Sequence, residues 1–337
     1  MSANISAIFF ADDIVLIAKS ENDLHKLFNH LSSWSKQWKL DLSVKKSKVM
    51  TMKGGISKWK LFNSSGVNYA SLDEILSFKY LGVQIQLEAY KMYKNYNANI
   101  LKLARNYLYN ILSLKKSGPD VCQVARTLWT NCATPAILYG VECSVIKKET
   151  IDKLEKMNSR IGKFILQLPS RSTNVAGVLD TGLKSFKQLI LERQIKYHER
   201  LLKINVNSWT RKAYLENIKM GKQSQYIRNL INNKIETLTL NLPFKIAKQI
   251  IGNVEISSRK QEMMKNSKSM VFMSQKTFTF NMKPWINDSV QCKTFSEFRA
   301  SDAGLGNREP LSNGINYKIC ILCKNDGKIF KGVAVLI

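Results

Sequence analysis

The residues that most invite a chemical reading are two adjacent carboxylates, Asp12 and Asp13, set between the apolar runs Ile8-Phe9-Phe10 and Ile14-Val15-Leu16-Ile17. Runs of this length, partly β-branched, read as strands, and the pair between them reads as acid at the tip of a β-hairpin. A carboxylate pair presented this way can take a hard divalent cation, as phosphoryl-transfer enzymes that work with two metals require. An Asp-Asp dipeptide is also a comfortable turn, so the pair alone leaves both readings open.

The elements that would position this tip follow directly. Ser20 can cap a helix, with Asp23 three residues on. Leu24, Leu27, Phe28, Leu31, Trp34 and Trp38 then recur at helical spacing, an apolar stripe expected to pack on the hairpin. Leu40 to Met52 alternates apolar and polar residues around Lys45, Lys46 and Lys48 and suggests a further strand, broken at Gly54-Gly55. Phe78 to Ile85 reads as one more strand, with Gly82 where a backbone approaches closely.

From Tyr90 the period is helical. Tyr93, Tyr96, Ile100, Leu103, Tyr107, Ile111 and Leu114 make one stripe, stopped at Ser117-Gly118-Pro119. Further helices are expected from about Asp120 towards Pro135, from Thr150 to Leu168 ahead of Pro169, and from Ser185 to Leu202. Residues 91–203 hold 20 Lys and Arg against 8 Asp and Glu, which predicts a helical bundle with a basic outer face able to clamp a nucleic-acid backbone.

The order Phe10-Ala11-Asp12-Asp13, the helix with Trp34 and Trp38, Lys46-Ser47-Lys48-Val49-Met50 and Tyr80-Leu81-Gly82-Val83 resembles the palm of reverse transcriptases of non-LTR (LINE-type, jockey-like) retrotransposons. Ile137 to Glu142, and Leu154-Glu155 through Leu166-Gln167-Leu168-Pro169, are similar to the thumb and adjoining helices, so the resemblance spans roughly residues 5 to 205. It implies an α+β fold, the C-terminal part of a polymerase palm, an antiparallel sheet with a helix, followed by a mainly α-helical thumb and connector. The implied divisions are a partial palm over 1–88, a thumb over 89–205, a helical or linker region over 206–310 and a zinc-knuckle-like tail over 311–337.

The reaction implied is RNA-templated extension of a DNA primer with deoxynucleoside triphosphates and magnesium. Asp12 would be a metal-binding catalytic aspartate, with Asp13 assisting beside it. Lys46 matches a lysine that approaches the incoming triphosphate, although Ser43 stands where the family has asparagine. Tyr80, Leu81 and Gly82 match the hairpin that grips the primer. Solvated lysine and ordinary strand remain the alternatives for these two motifs. None of the eleven residues before Asp12 is acidic, so the family's other metal-binding aspartate and its fingers are expected to be missing and the isolated chain inactive. Cys320 and Cys323 open a knuckle that no later His or Cys completes, so no zinc is expected. His25 and His30 read as surface histidines on the first helix.

Composition agrees with these partners. With 52 Lys and Arg against 25 Asp and Glu in 337 residues, a net of +27, the chain calls for a polyanion, and RNA template with DNA primer or target fits. At 45% hydrophobic and 9% aromatic it can bury a core, which excludes wholesale disorder. No apolar run is long enough to span a bilayer, so no membrane partner is expected. Six cysteines and no signal peptide point to an intracellular protein of nucleus or cytoplasm. The rival reading is a non-catalytic RNA- or DNA-binding protein, a remnant or a domesticated fragment, using the same basic helices.

Overall fold

The structure, a computed structural model, describes residues 6–43, 45–51, 58–62, 68–86, 89–114, 121–179, 181–219 and 243–264. Its contacts divide the chain into two compact units, Met1–Tyr96 and Asn97–Ile337. Helices and antiparallel strands both occur, compatible with an α+β class. No helix among the described residues is long and apolar enough to cross a membrane.

The first unit is built from hairpins, one whole helix and the first turns of another. Strands β1 (Ala7–Phe10) and β2 (Asp13–Leu16) pair antiparallel, as do β3 (Lys58–Phe62) with β4 (Asn68–Asp73) and β5 (Ser77–Tyr80) with β6 (Val83–Gln86). Among the described residues these are three separate two-stranded sheets. Helix α1 (Glu21–Gln37) starts as expected, with the Asp23 N–H donating to Ser20 Oγ at 3.2 Å and the Ser20 hydroxyl donating to Asp23 Oδ2 at 2.8 Å. It ends in a Schellman motif. Lys39 turns left-handed (φ 56°), the Leu40 N–H reaches Ser35 O and the Lys39 N–H reaches Lys36 O.

The expected apolar stripe of α1 is inward over its first half, at Leu24, Leu27, Phe28 and Leu31, and is left outward at Trp34 and Trp38. Phe28, Ser32 and Ser35 face inward, and Phe28 joins Val49 and Leu72 in a core on which Leu16, Leu24 and Leu42 pack. Trp34 and Trp38 stay 44% and 64% exposed. Ser35 is satisfied inside by donating its hydroxyl to Ser32 O at 3.0 Å.

Two strand expectations are corrected. In the 40–52 segment the described residues are irregular, with a turn at Lys45-Lys46, and only Val49 pairs, in an isolated parallel bridge to Glu74 with its N–H on Asp73 O (3.1 Å) and its carbonyl taking the Ile75 N–H (2.9 Å). Residues 78–85 are two strands rather than one, folded back at Leu81-Gly82. Gly54-Gly55 lies outside the described residues.

The second unit is helical. It continues α2 (Ala89–Leu112), in which the unit boundary falls, with α3 (Val121–Thr127), a π turn (Leu128–Ala133), α4 (Thr134–Ile137), a 3₁₀ turn (Val141–Cys143) and α5 (Lys148–Ile165). Then come α6 (Ala176–Leu179), α7 (Phe186–Lys203), α8 (Trp209–Lys219) and α9 (Phe244–Met264). On α2 the buried side is Asn97, Ile100, Leu101, Ala104, Leu108 and Ile111, rotated from the expected stripe.

Pro135 does not stop the helix it sits in. The π turn ahead of it widens the spiral, so that the Thr134 N–H and hydroxyl both reach Trp129 O, and the missing proline N–H is absorbed there. Helix α5 ends at Ile165, earlier than expected, in a second Schellman motif around Gln167 (φ 54°).

The core of this unit centres on Trp129 and Phe186, edge to face with ring centroids 6.1 Å apart. Several polar side chains inside it are paired. The Trp129 indole N–H donates to Asn158 Oδ1 (2.9 Å) while Asn158 Nδ2 donates to Lys184 O (3.0 Å). Helices α5 and α6 meet at Gly162 and Gly177, and Leu191 and Ile195 of α7 pack on Ala247 and Ile251 of α9.

Candidate functional site

The β1–β2 register pairs Ala7 with Leu16 and Phe10 with Asp13, leaving Ala11 and Asp12 as a two-residue turn. Ala11 sits left-handed at φ 51°, a conformation that costs a residue with a Cβ about 1–2 kcal/mol. The base of the hairpin is held by the Ile17 N–H on Ser6 O (2.8 Å) and by Leu16 against the Phe28, Val49 and Leu72 core. Asp12 and Asp13 are both exposed at the far end.

Among the described residues neither carboxylate makes a hydrogen bond or an ion pair, so their oxygens face water. Magnesium is commonly held by one or two carboxylates with waters and substrate phosphates completing the shell, and the Asp12–Asp13 tip fits that role as part of a donor set. Among the described residues no group of three His, Cys, Asp or Glu could hold a metal ion.

Lys46 lies in the turn that follows Ser43. The Lys46 and Ser47 N–H groups donate to Ser43 O at 3.2 and 3.0 Å, and the Lys46 side chain is exposed. The neighbouring Lys48, in contrast, is tied to Asp73 at 2.6 Å. No hydrogen bond or ion pair among the described residues joins Lys46 to Asp12 or Asp13.

The Tyr80 to Val83 stretch is a tight hairpin in which Leu81 (φ 47°) and Gly82 (φ 81°) are both left-handed, the pattern of a type I′ turn. Glycine takes this conformation freely, and Leu81 does so at a cost. The Tyr80 ring is half-buried and its hydroxyl is buried with no partner among the described residues.

Part of the positive charge in the helical unit is structural. Lys163 is buried and donates to Ser170 O and Asn174 Oδ1, both at 2.9 Å, and burial holds its amine below the usual lysine range. Arg126 donates to Thr181 O and Arg193 to Leu138 O. All three belong to the 20 Lys and Arg of residues 91–203, so the basic outer face is smaller than that count implies. An exposed basic face does exist on α2, whose sequence holds no acidic residue and where Lys102, Arg105, Asn106 and Tyr109 follow each other in the open.

Residues 1–85 match the family model for reverse transcriptase (RNA-dependent DNA polymerase). The match takes in the Asp12–Asp13 hairpin, α1, Lys46 and the Tyr80-Leu81-Gly82 turn and stops ahead of α2, so residues 86–205 of the resemblance lie outside it. No curated protein and no solved structure matches the chain. Cys320 and Cys323 lie outside the described residues. His25 is half-buried and lies 3.8 Å from Glu21, while His30 is exposed.

Proposed function

We propose that the chain is part of an RNA-directed DNA polymerase of a non-LTR retrotransposon, with the Asp12–Asp13 tip as its metal-facing motif. The observation that carries this reading is the hairpin: two adjacent, exposed carboxylates held at a two-residue turn inside the segment that matches the reverse transcriptase family. In this reading Asp12 takes a divalent metal, Asp13 assists, Lys46 approaches the triphosphate, and Tyr80, Leu81 and Gly82 hold the primer end. Residues 89–205 act as the thumb, with Lys102 and Arg105 meeting phosphates of the template and primer. Magnesium, when bound, would supply activation of the primer 3′ hydroxyl and neutralisation of the leaving pyrophosphate.

Two-metal chemistry draws carboxylates from more than one strand, and the tip supplies them from one hairpin. The chain by itself is therefore proposed to be inactive in synthesis. The test is extension of a DNA primer on an RNA template with Mg²⁺, expected at background for the parent and for Asp12→Asn alike. Synthesis abolished by Asp12→Asn would overturn the inactivity. Manganese binding read by electron paramagnetic resonance tests the metal role, with loss expected in the Asp12→Asn, Asp13→Asn double variant.

The second reading, a non-catalytic RNA- or DNA-binding protein, is favoured by the acid-free exposed face of α2 and the net charge of +27. It predicts hybrid binding that weakens steeply with salt together with manganese binding indifferent to Asp12 and Asp13.

A further inference from the structure

Trp34 and Trp38, 44% and 64% exposed, have no assigned role at the Asp12–Asp13 tip, at Lys46 or at the primer turn. Lys26, His30, Trp34 and Trp38 follow one another along α1 in four-residue steps, and all four are exposed. Each such step advances about 40° around a helix, so the row keeps to one side. Phe28, Ser32 and Ser35 occupy the roughly opposite side, against the core. The tryptophan rings lie 6.5 Å apart at 45°, so neither covers the face of the other. Two large aromatic faces left in water side by side mark a surface that meets something.

The charge says what. Lys26 lies in the row, and Lys36 and Lys39 at the C-terminal end of α1, with Lys45 and Lys46 in the turn beyond, are exposed. The acids nearby in the chain are Glu21 and Asp23 at the other end of the helix and Asp41 after it. A second copy of the chain would bring these cations against themselves, which opposes self-association. A polyanion with flat aromatic groups satisfies both the rings and the charge.

We propose that the outer face of α1, the row Lys26, His30, Trp34 and Trp38, binds single-stranded nucleic acid. Bases stack on Trp34 and Trp38 while the lysines take phosphates. A single strand is required because duplex bases offer no free face, and stacking of this kind tolerates any sequence. The inference goes beyond the polymerase reading and does not use the Asp12–Asp13 tip.

The test is fluorescence anisotropy of a labelled oligodeoxythymidylate of about 15 nucleotides titrated with the full chain. Trp34→Leu and Trp38→Leu are each expected to weaken binding about tenfold at fixed salt with an unchanged salt slope. Trp38→Phe should retain most of the affinity, and Lys26→Glu, an exposed change that leaves the core alone, should weaken binding severalfold and flatten the salt slope. Leucine variants that bind as the parent does would overturn the proposal, as would a change confined to sedimentation, which would assign the face to a second copy. Asp12→Asn should leave this binding untouched, so loss of the metal reading and loss of this one are read separately.

Discussion

Gly162 and Gly177 approach so closely that a β-carbon on Gly162 would stand 1.6 Å from the Gly177 carbonyl oxygen. Helices α5 and α6 can meet there only through bare backbone. Gly162→Ala must push the helices apart and is expected to cost about 3 kcal/mol or more in urea unfolding. Gly252, inside α9, has nothing within 4 Å of such a carbon. Gly252→Ala is expected to stabilise by about 0.5–1 kcal/mol, since alanine suits a helix interior better.

Glu155 of α5 accepts the Lys187 N–H at the start of α7 (3.0 Å). Burial pushes its carboxyl up to about 7, against the lowering effect of the Lys187 and Phe186 N–H groups and of Arg259, with Glu255 adding to the rise. Arg259 is itself engaged by Glu255 at 2.7 Å. A carboxyl raised from 4.5 in the folded state favours the protonated fold, so its contribution is full below about pH 4.5 and lost as pH rises through about 7. Thermal melts should show stability falling between these values, by at most about 3 kcal/mol from this group. Glu155→Gln keeps an acceptor for the Lys187 N–H and should flatten that slope.

Ala11 is exposed and left-handed at the tip of the β1–β2 hairpin. Ala11→Gly removes the Cβ clash without uncovering any core. The expected gain is about 0.5–1 kcal/mol, read in slower hydrogen exchange of the Ile17 N–H that closes the hairpin on Ser6 O. An exchange rate unchanged or faster would show that the turn is not strained.

Much of the hairpin unit could be read from residue types. Ser20 with Asp23 announced the start of α1, and the apolar runs flanking Asp12-Asp13 announced the hairpin. Spacing placed Leu24 and Phe28 of α1 inward but not the end of the helix, where Ser32 and Ser35 are buried in place of Trp34 and Trp38, and serine carries no hydrophobic signal. The alternation after Leu40 misled because Val49 alone pairs, in an isolated bridge. Leu81, a residue that avoids left-handed backbone, concealed the turn that Gly82 marks. Pro135 concealed the helix on either side of it, since a π turn leaves no pattern in the residues. In the helical unit the burial of Asn97, Asn158 and Lys163 was illegible, because each is made acceptable by a distant partner: Val145 O, the Trp129 indole and Asn174.

The three strand pairs of the hairpin unit have a cooperative consequence. A two-stranded ladder is marginal by itself, and each of these pairs, separate among the described residues, leaves backbone donors and acceptors along its outer edges. The β1–β2 and β3–β4 pairs are tied through the core of Leu16, Phe28, Val49 and Leu72, to which β5–β6 contributes no described residue, so the β5–β6 hairpin is the pair freest to open alone. A further strand laid along β1 or β2 would meet those unpaired backbone groups and stiffen the carboxylate tip between them.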